Sequence, residues 1–201
     1  RTKYTVTVAA GLKDRFGQSM ERDAVATFDV RPAEPYLWGD ELPASFDFPL
    51  SEQVLRALSQ GNAVPVAAKL DEVLRAYPKG AIDAPFLTNH DQVRLATQVG
   101  KSAGKLRNAA AILLTLPGAP FLYYGEEVGI ENGTTGGDES KRTPMPWDAT
   151  NGGGVTTGTP WFAFAPGRET ANVAAQTGDP SSLLSRYRAL IRARRDAPSL
   201  A

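Results

Sequence analysis

The sequence predicts an α/β fold, a parallel sheet covered by helices, preceded by a short antiparallel β segment. Two observations carry this. From residue 51 onward the order is helix, helix, strand, polar tip, helix, strand, acidic tip, which suits a parallel sheet with crossover helices. Before residue 32, β-branched residues cluster and partly alternate. Pro32 and Pro35 then mark a boundary. The expected domains are therefore a β segment over residues 1–32 and a larger unit over residues 33–201.

In the β segment, Tyr4–Val8 and Ala24–Val30 are the strand candidates, with a turn region between Gly11 and Gly17. Two strands alone are marginal in water, so the segment is expected to pack on something or to belong to a larger sheet, as a hairpin with few contacts to the rest of the chain. Residues 36–50 are aromatic and irregular, with Tyr36, Trp38, Phe46 and Phe48. Ser51 is the expected N-cap of a helix to Leu58. A second helix is expected from Val66 to Tyr77, with Leu70, Val73 and Leu74 on one face. Ala84–Thr88 predicts a strand running into Asn89-His90-Asp91. Lys105–Leu116 predicts a buried helix, and Phe121–Tyr124 a second buried strand ending at Glu126-Glu127. A Gly-, Thr- and Pro-rich stretch fills residues 130–178, long enough to suggest a functional loop. Asp179-Pro180 is the expected start of a last helix to Arg195, with Arg192, Arg194 and Arg195 complementing its C-terminus.

Composition excludes several classes. Lys plus Arg number 22 and Asp plus Glu number 22. A zero balance speaks against nucleic acid or an anionic membrane as the main partner. The chain has no Cys and 1 His, so thiol chemistry and a multi-histidine metal site are ruled out. No apolar run approaches the roughly 18 residues of a membrane span. The chain opens on Arg1 without a signal-like segment, as expected of a processed or cut product.

The candidate chemistry lies at strand ends, where active sites of parallel α/β folds gather. His90 and Asp91 there suit hydrogen bonding to the hydroxyls of a polar substrate; a plain polar turn is the alternative. Glu126-Glu127 ends the next strand. Two carboxylates facing one mouth are what glycoside hydrolysis requires; an Arg-paired Glu beside a solvated one is the alternative. Trp147, Trp161 and Phe162 in the long loop suit stacking on sugar rings, or else pin the loop. Gly100-Lys101-Ser102 lacks the spacing of a phosphate loop. Asn132-Gly133-Thr134 is a glycosylation pattern of low specificity.

Phe86-Leu87-Thr88-Asn89-His90-Asp91-Gln92-x-Arg94 resembles the last signature region of the α-amylase family of glycoside hydrolases. The run from Pro117 to Gly129 is similar to that family's eighth barrel strand, Arg142-Thr143-Pro144-Met145-x-Trp147-Asp148 to the loop after it, and Ser181–Ile191 to its last helix. The resemblance covers roughly residues 34–201. It implies the last strands and helices of a (β/α)₈ barrel acting on α-linked glucans or maltooligosaccharides with retention. It also implies that Asp91 is the catalytic carboxylate stabilising the transition state, with Asn89, His90, Arg94, Glu126 and Trp147 binding substrate. Calcium is possible by the same resemblance, although the segments that usually supply its ligands look absent. Residues 1–32 resemble the end of a bacterial immunoglobulin-like domain, and by analogy the chain is expected outside the cytoplasm, extracellular or periplasmic.

The departures from the family pattern matter as much. Neither the Asp nucleophile motif nor the Glu general acid occurs in the sequence. A complete barrel takes about 250 residues, against roughly 170 here. The expectation is a truncated or internally deleted form that is inactive alone. The alternatives are a half-enzyme completed by another chain, with self-association through open barrel edges, and a non-catalytic glucan-binding or adhesion module.

Overall fold

The computed structural model describes residues 2–8, 10, 22, 24–30, 37 and 42–197. The turn region after Gly11, and Tyr36 and Trp38, lie outside them. Strands β1 (Thr2–Val8) and β2 (Ala24–Val30) pair antiparallel, Thr2 opposite Val30 and Val8 opposite Ala24.

The larger unit begins with β3 (Ala44–Phe46), which pairs in parallel with β4 (Ile82–Ala84). Next to β4 the chain at Phe121 forms a single parallel bridge with Phe86. The strands predicted over 84–88 and 121–124 are thus much reduced. Pro85 and Pro120 lack the N–H that would continue a ladder through them. The tips nonetheless stay side by side and run in the same direction.

Helices cover one side. Helix α1 (Phe48–Gln60) starts three residues before the expected cap, because Asp47 Oδ1 accepts from Leu50 N–H (2.8 Å) and Pro49 suits the first turn. Ser51 instead donates to the Leu87 carbonyl (3.0 Å), tying α1 to the strand. Helix α2 (Val64–Ala76) follows, then the short α3 (Leu95–Gln98) and α4 (Ala103–Thr115), which Ser102 caps. Leu50, Val54 and Leu58 of α1 form one core with Leu87, Leu95, Leu106 and Leu113. The other face of α4, through Ala110 and Leu114, packs on Tyr187 of the last helix. Within the loop lies α5 (Val173–Gln176), and α6 (Leu183–Asp196) closes the layer.

Helix α6 is capped by Ser182, not by Asp179. Ser182 Oγ accepts from Ser185 N–H (3.1 Å), while Asp179 Oδ1 turns back on Ser181 N–H (2.8 Å). Ile191 of this helix is exposed. The C-terminal arginines differ from expectation as well. Arg195 pairs with Asp196 (2.8 Å). Arg194 reaches across to the end of α4 and donates to the carbonyls of Leu114 (3.1 Å), Leu116 (2.7 Å) and Gly118 (2.5 Å). A helix end leaves such carbonyls without partners, and a guanidinium fork is the group that collects several. Arg194→Ala is expected to lower stability by about 2 kcal/mol, with Lys restoring only part of it. Urea denaturation checks this as a lower midpoint with an unchanged slope.

An edge-to-face aromatic cluster joins the strands to the start of α1. Phe46 lies 5.5 Å from Phe86 and 4.7 Å from Phe121, and Phe48 lies 4.8 Å from Phe86. Phe86 is buried, but Phe46, Phe48 and Phe121 remain about half exposed. Among the described residues, no helix is long and apolar enough to cross a membrane.

Candidate active site at the strand tips

After Phe86 and Leu87 the chain leaves the sheet through Thr88 into a tight turn. Asn89 Oδ1 accepts from Asp91 N–H (2.9 Å), an Asx-type closure that fixes the backbone and turns His90 and Asp91 into solvent. His90 Nε2 lies 3.4 Å from Asp91 Oδ2. The other Asp91 oxygen accepts from Arg142 Nη2 at 2.8 Å. Arg142 Nε also donates to the His90 carbonyl (3.1 Å), and Lys141 Nζ to the Asp91 carbonyl (3.0 Å). Both cations share Asp138, whose pKa is lowered chiefly by its hydrogen bond to Lys141 and then by the charges of Lys141 and Arg142.

Arg142 is held by its neighbours. Tyr123 Oη donates to the carbonyl of Lys141 (3.0 Å) and Tyr124 Oη to that of Thr143 (2.7 Å), so the tyrosines fix the backbone on both sides of Arg142. Burial pushes the Tyr123 phenol up to about 12. Beneath the two rings sits Arg94. Its guanidinium is 4.7 Å from the Tyr123 centroid and 4.6 Å from the Tyr124 centroid, and Nη1 donates to the Tyr124 carbonyl (2.8 Å). The Arg94 backbone N–H donates to Asn132 Oδ1 (2.8 Å), which gives Asn132 a structural task. Arg94 is 2% exposed. It therefore supports the site from below rather than facing the mouth.

Glu126 is also turned inward. Gly125 adopts φ +84°, and a Cβ there would strike Ile130 and crowd Arg94 Nη1, so this left-handed turn requires glycine. It directs the Glu126 carboxylate into the protein, where Oε2 accepts from Thr88 Oγ1 and Oε1 from Tyr187 Oη, each at 3.0 Å. Burial is the main cause that raises Glu126 to about 7. Glu127, half-buried beside it, is raised by burial as well. The acidic tip is thus a bolt joining strand, turn and α6, not a pair of carboxylates facing the mouth. Asp83 on β4, with Asp47 nearby, is likewise raised to about 7, by burial first and Asp47's charge second.

Trp147 is anchored through its backbone to the carbonyl of Gly153 and the N–H of Ala174, with its side chain 52% exposed. No described hydrogen bond or ring contact joins it to the Asp91 cluster. The tips therefore bring together Asn89, His90 and Asp91, with Arg94 and Glu126 supporting them. In the sequence Arg142 stands within the Arg142–Asp148 motif, and nothing there singles out Lys141 or Asp138.

Among the described residues, no group of three His, Asp or Glu side chains is placed to hold a metal ion.

The family model for the α-amylase catalytic domain matches residues 20–201. The chain belongs to the α-amylase family. The match includes β2 as well as the larger unit. The chain is 36% identical over 171 residues to the α-amylase SusG of Bacteroides thetaiotaomicron, covering 83% of this chain and 24% of that protein. It is 30% identical over 216 residues to the trehalose synthase/amylase TreS of Mycolicibacterium smegmatis, covering 87% and 36%. Among solved structures it resembles the α-amylase from H. orenii, with TM-score 0.70, 35% identity, and coverage of 83% of this chain and 34% of that one. An isomaltulose synthase variant from Erwinia rhapontici NX5 in complex with sucrose follows at TM-score 0.67 and 26% identity, with coverage of 80% and 37%. The chain thus spans about a quarter to a third of the length of these family members. Its small parallel sheet and covering helices correspond to part of their barrel.

Proposed function

We propose that His90, Asp91 and Arg142 form the sugar-gripping side of an α-amylase-type site for α-linked glucans, with Asp91 as its transition-state-stabilising carboxylate. The observation that carries this is the cluster itself. A carboxylate, an imidazole and a guanidinium converge at a tip beside a parallel neighbour, all open to solvent. Asp91 accepts hydrogen bonds from sugar hydroxyls, while Arg142 fixes its orientation. An anionic oxygen held in place next to a ring that becomes oxocarbenium-like binds the transition state better than the ground state. Trp147 offers an aromatic face to the same ligand class. Arg94 and Glu126 act as positioning residues beneath the site.

In this proposal the carboxylates that break the bond are not among these 201 residues. Glu126 is committed to Thr88 and Tyr187, and Asp138 to Lys141 and Arg142. A retaining reaction needs a nucleophile and an acid about 5 Å apart across the bond, and the described tip does not present such a pair. The residues by themselves are expected to bind α-glucan without cleaving it. Reducing-sugar release from starch by the purified, folded chain tests this. No release is expected, and release that Asp91→Asn abolishes would show that the chain holds its own cleaving carboxylates.

One observation favours a second reading, a half-enzyme completed by another chain. Phe46, Phe48 and Phe121 leave a half-exposed aromatic face, the kind of surface that partner association covers. Turnover that appears only on mixing with a second barrel segment would support it. On sequence resemblance alone we further propose that the β1–β2 pair ends an immunoglobulin-like domain of an exported protein, although the catalytic-domain match already takes in β2.

A further inference from the structure

We propose that Asn151–Gly152 is a site of spontaneous covalent modification, where deamidation places isoaspartate in the turn that holds the Trp147 backbone. The same dipeptide at Asn132–Gly133 is protected by the fold. Asn followed by Gly is prone to this reaction, because glycine has no Cβ to keep its amide nitrogen from the preceding side chain. The sequence contains the pair twice, at 132–133 and at 151–152. The structure treats the two differently.

At the first pair both reacting groups are engaged. Asn132 Oδ1 accepts from the Arg94 N–H (2.8 Å). Gly133 N–H, the group that would attack, donates to the Ser140 carbonyl (2.7 Å). The Asn132 backbone is held as well, its N–H donating to Thr97 Oγ1 (2.8 Å). Asn151, by contrast, is exposed. Among the described residues, neither its side chain nor the Gly152 N–H has a hydrogen-bond partner. Nothing has to open there before reaction.

The step needs only water and hydroxide. Gly152 N gives its proton to hydroxide and bonds to Asn151 Cγ. The Cγ–Nδ2 bond breaks, and Nδ2 takes a proton from water and leaves as ammonia. One water then opens the cyclic imide. Attack at one carbonyl gives aspartate; attack at the other gives isoaspartate, whose main chain is one methylene longer. Either product carries a carboxylate where the chain had a neutral amide.

The turn is built so that the longer chain disturbs it. Gly153 N–H donates to the Thr150 carbonyl (2.9 Å), closing a β-turn with Asn151 and Gly152 as its central residues. The Gly153 carbonyl accepts in turn from Trp147 N–H (2.8 Å), and Arg168 Nη1 donates to the Thr150 carbonyl (3.0 Å). A Cβ at Gly153 would strike the Phe164 ring, so Gly153 has no room to shift toward it. An extra methylene between Thr150 and Gly153 therefore breaks the closure and loosens the bond to Trp147.

The test incubates the full chain in warm, mildly alkaline buffer, once folded and once in denaturing urea. Peptide mapping by mass spectrometry, with an isoaspartate-specific methyltransferase, measures product at each pair. Hydrogen exchange at the Trp147 and Gly153 N–H groups reads the turn. In the folded chain, product is expected at Asn151 about tenfold faster than at Asn132 or more, because hydrogen bonds hold the reacting groups of one pair and not of the other. Urea should bring the two rates together. Exchange at Trp147 and Gly153 should quicken about tenfold in aged wild type. Asn151→Gln, whose longer side chain closes the imide ring poorly, should keep the exchange rate of fresh protein after the same incubation. Asn151→Asp carries the charge without the extra methylene and should also exchange slowly when fresh. Equal rates at the two pairs in the folded chain would overturn the proposal. A folded chain inert at Asn151 whose unfolded form reacts there would do the same, as would an aged, isoaspartate-bearing turn that exchanges as slowly as a fresh one.

Discussion

Arg94→Ala is expected to cost the fold about 4 kcal/mol and to disorganise the site above it. The guanidinium is buried under Tyr123 and Tyr124 and bonded to the Tyr124 carbonyl. Truncation opens a cavity below both rings and removes the positive charge that faces Glu126 and Glu127. Breaking one side of a buried charge arrangement typically costs about 3–5 kcal/mol. The effect travels by contact. With their support gone, the tyrosines loosen their hold on the carbonyls of Lys141 and Thr143, and Arg142 loses its aim at Asp91. Arg94→Met fills the space without the charge and should recover part of the stability but not the Arg142 geometry. Chemical denaturation reads the first loss and sugar binding the second. An Arg94→Ala protein as stable as wild type would contradict the bolt-and-support account of the tips.

Glu126 should give the fold a distinctive pH dependence. Its folded pKa, about 7, lies above the ordinary carboxylate value of 4.5. The folded state therefore holds a proton that the unfolded chain releases. The associated stability is fully present below about pH 4.5 and is lost as pH rises through about 7. A shift of this size corresponds to a loss of the order of 3 kcal/mol. Asp83, also raised to about 7, adds a loss of the same sign. Glu126→Gln keeps shape and hydrogen-bonding capacity, so it should flatten the stability profile between about pH 4.5 and 7, and Asp83→Asn should flatten it further. Glu126→Ala should destabilise at every pH, because Tyr187 Oη and Thr88 Oγ1 then lose their buried partner. Denaturation midpoints from pH 4.5 to 8 check this; an unchanged profile in Glu126→Gln would contradict it.

How much of this was legible in the sequence depends on the range of the interaction. The helices themselves follow from apolar residues at helical spacing, although Leu74 of the expected α2 face and Ile191 of α6 are exposed. The tip at Asn89-His90-Asp91 was legible because an apolar strand runs straight into it. Helix starts were less so, since Asp47 and Ser51, or Asp179 and Ser182, are all good caps and packing chooses between them. The direction of Glu126 was hidden because a single left-handed residue, Gly125, sets it. The grip of Arg142 on Asp91 spans 51 positions, and nothing local in either segment reveals it. The shortened strands follow from Pro85 and Pro120, whose effect on the ladder is readable once both lie beside the same neighbour.

The most direct test of the central claim is calorimetric titration of the folded chain with maltooligosaccharides, comparing wild type with Asp91→Asn and Arg142→Ala. The account predicts saturable binding that weakens about tenfold or more in both variants. Equal affinity in all three proteins would contradict it and place the sugar site away from Asp91.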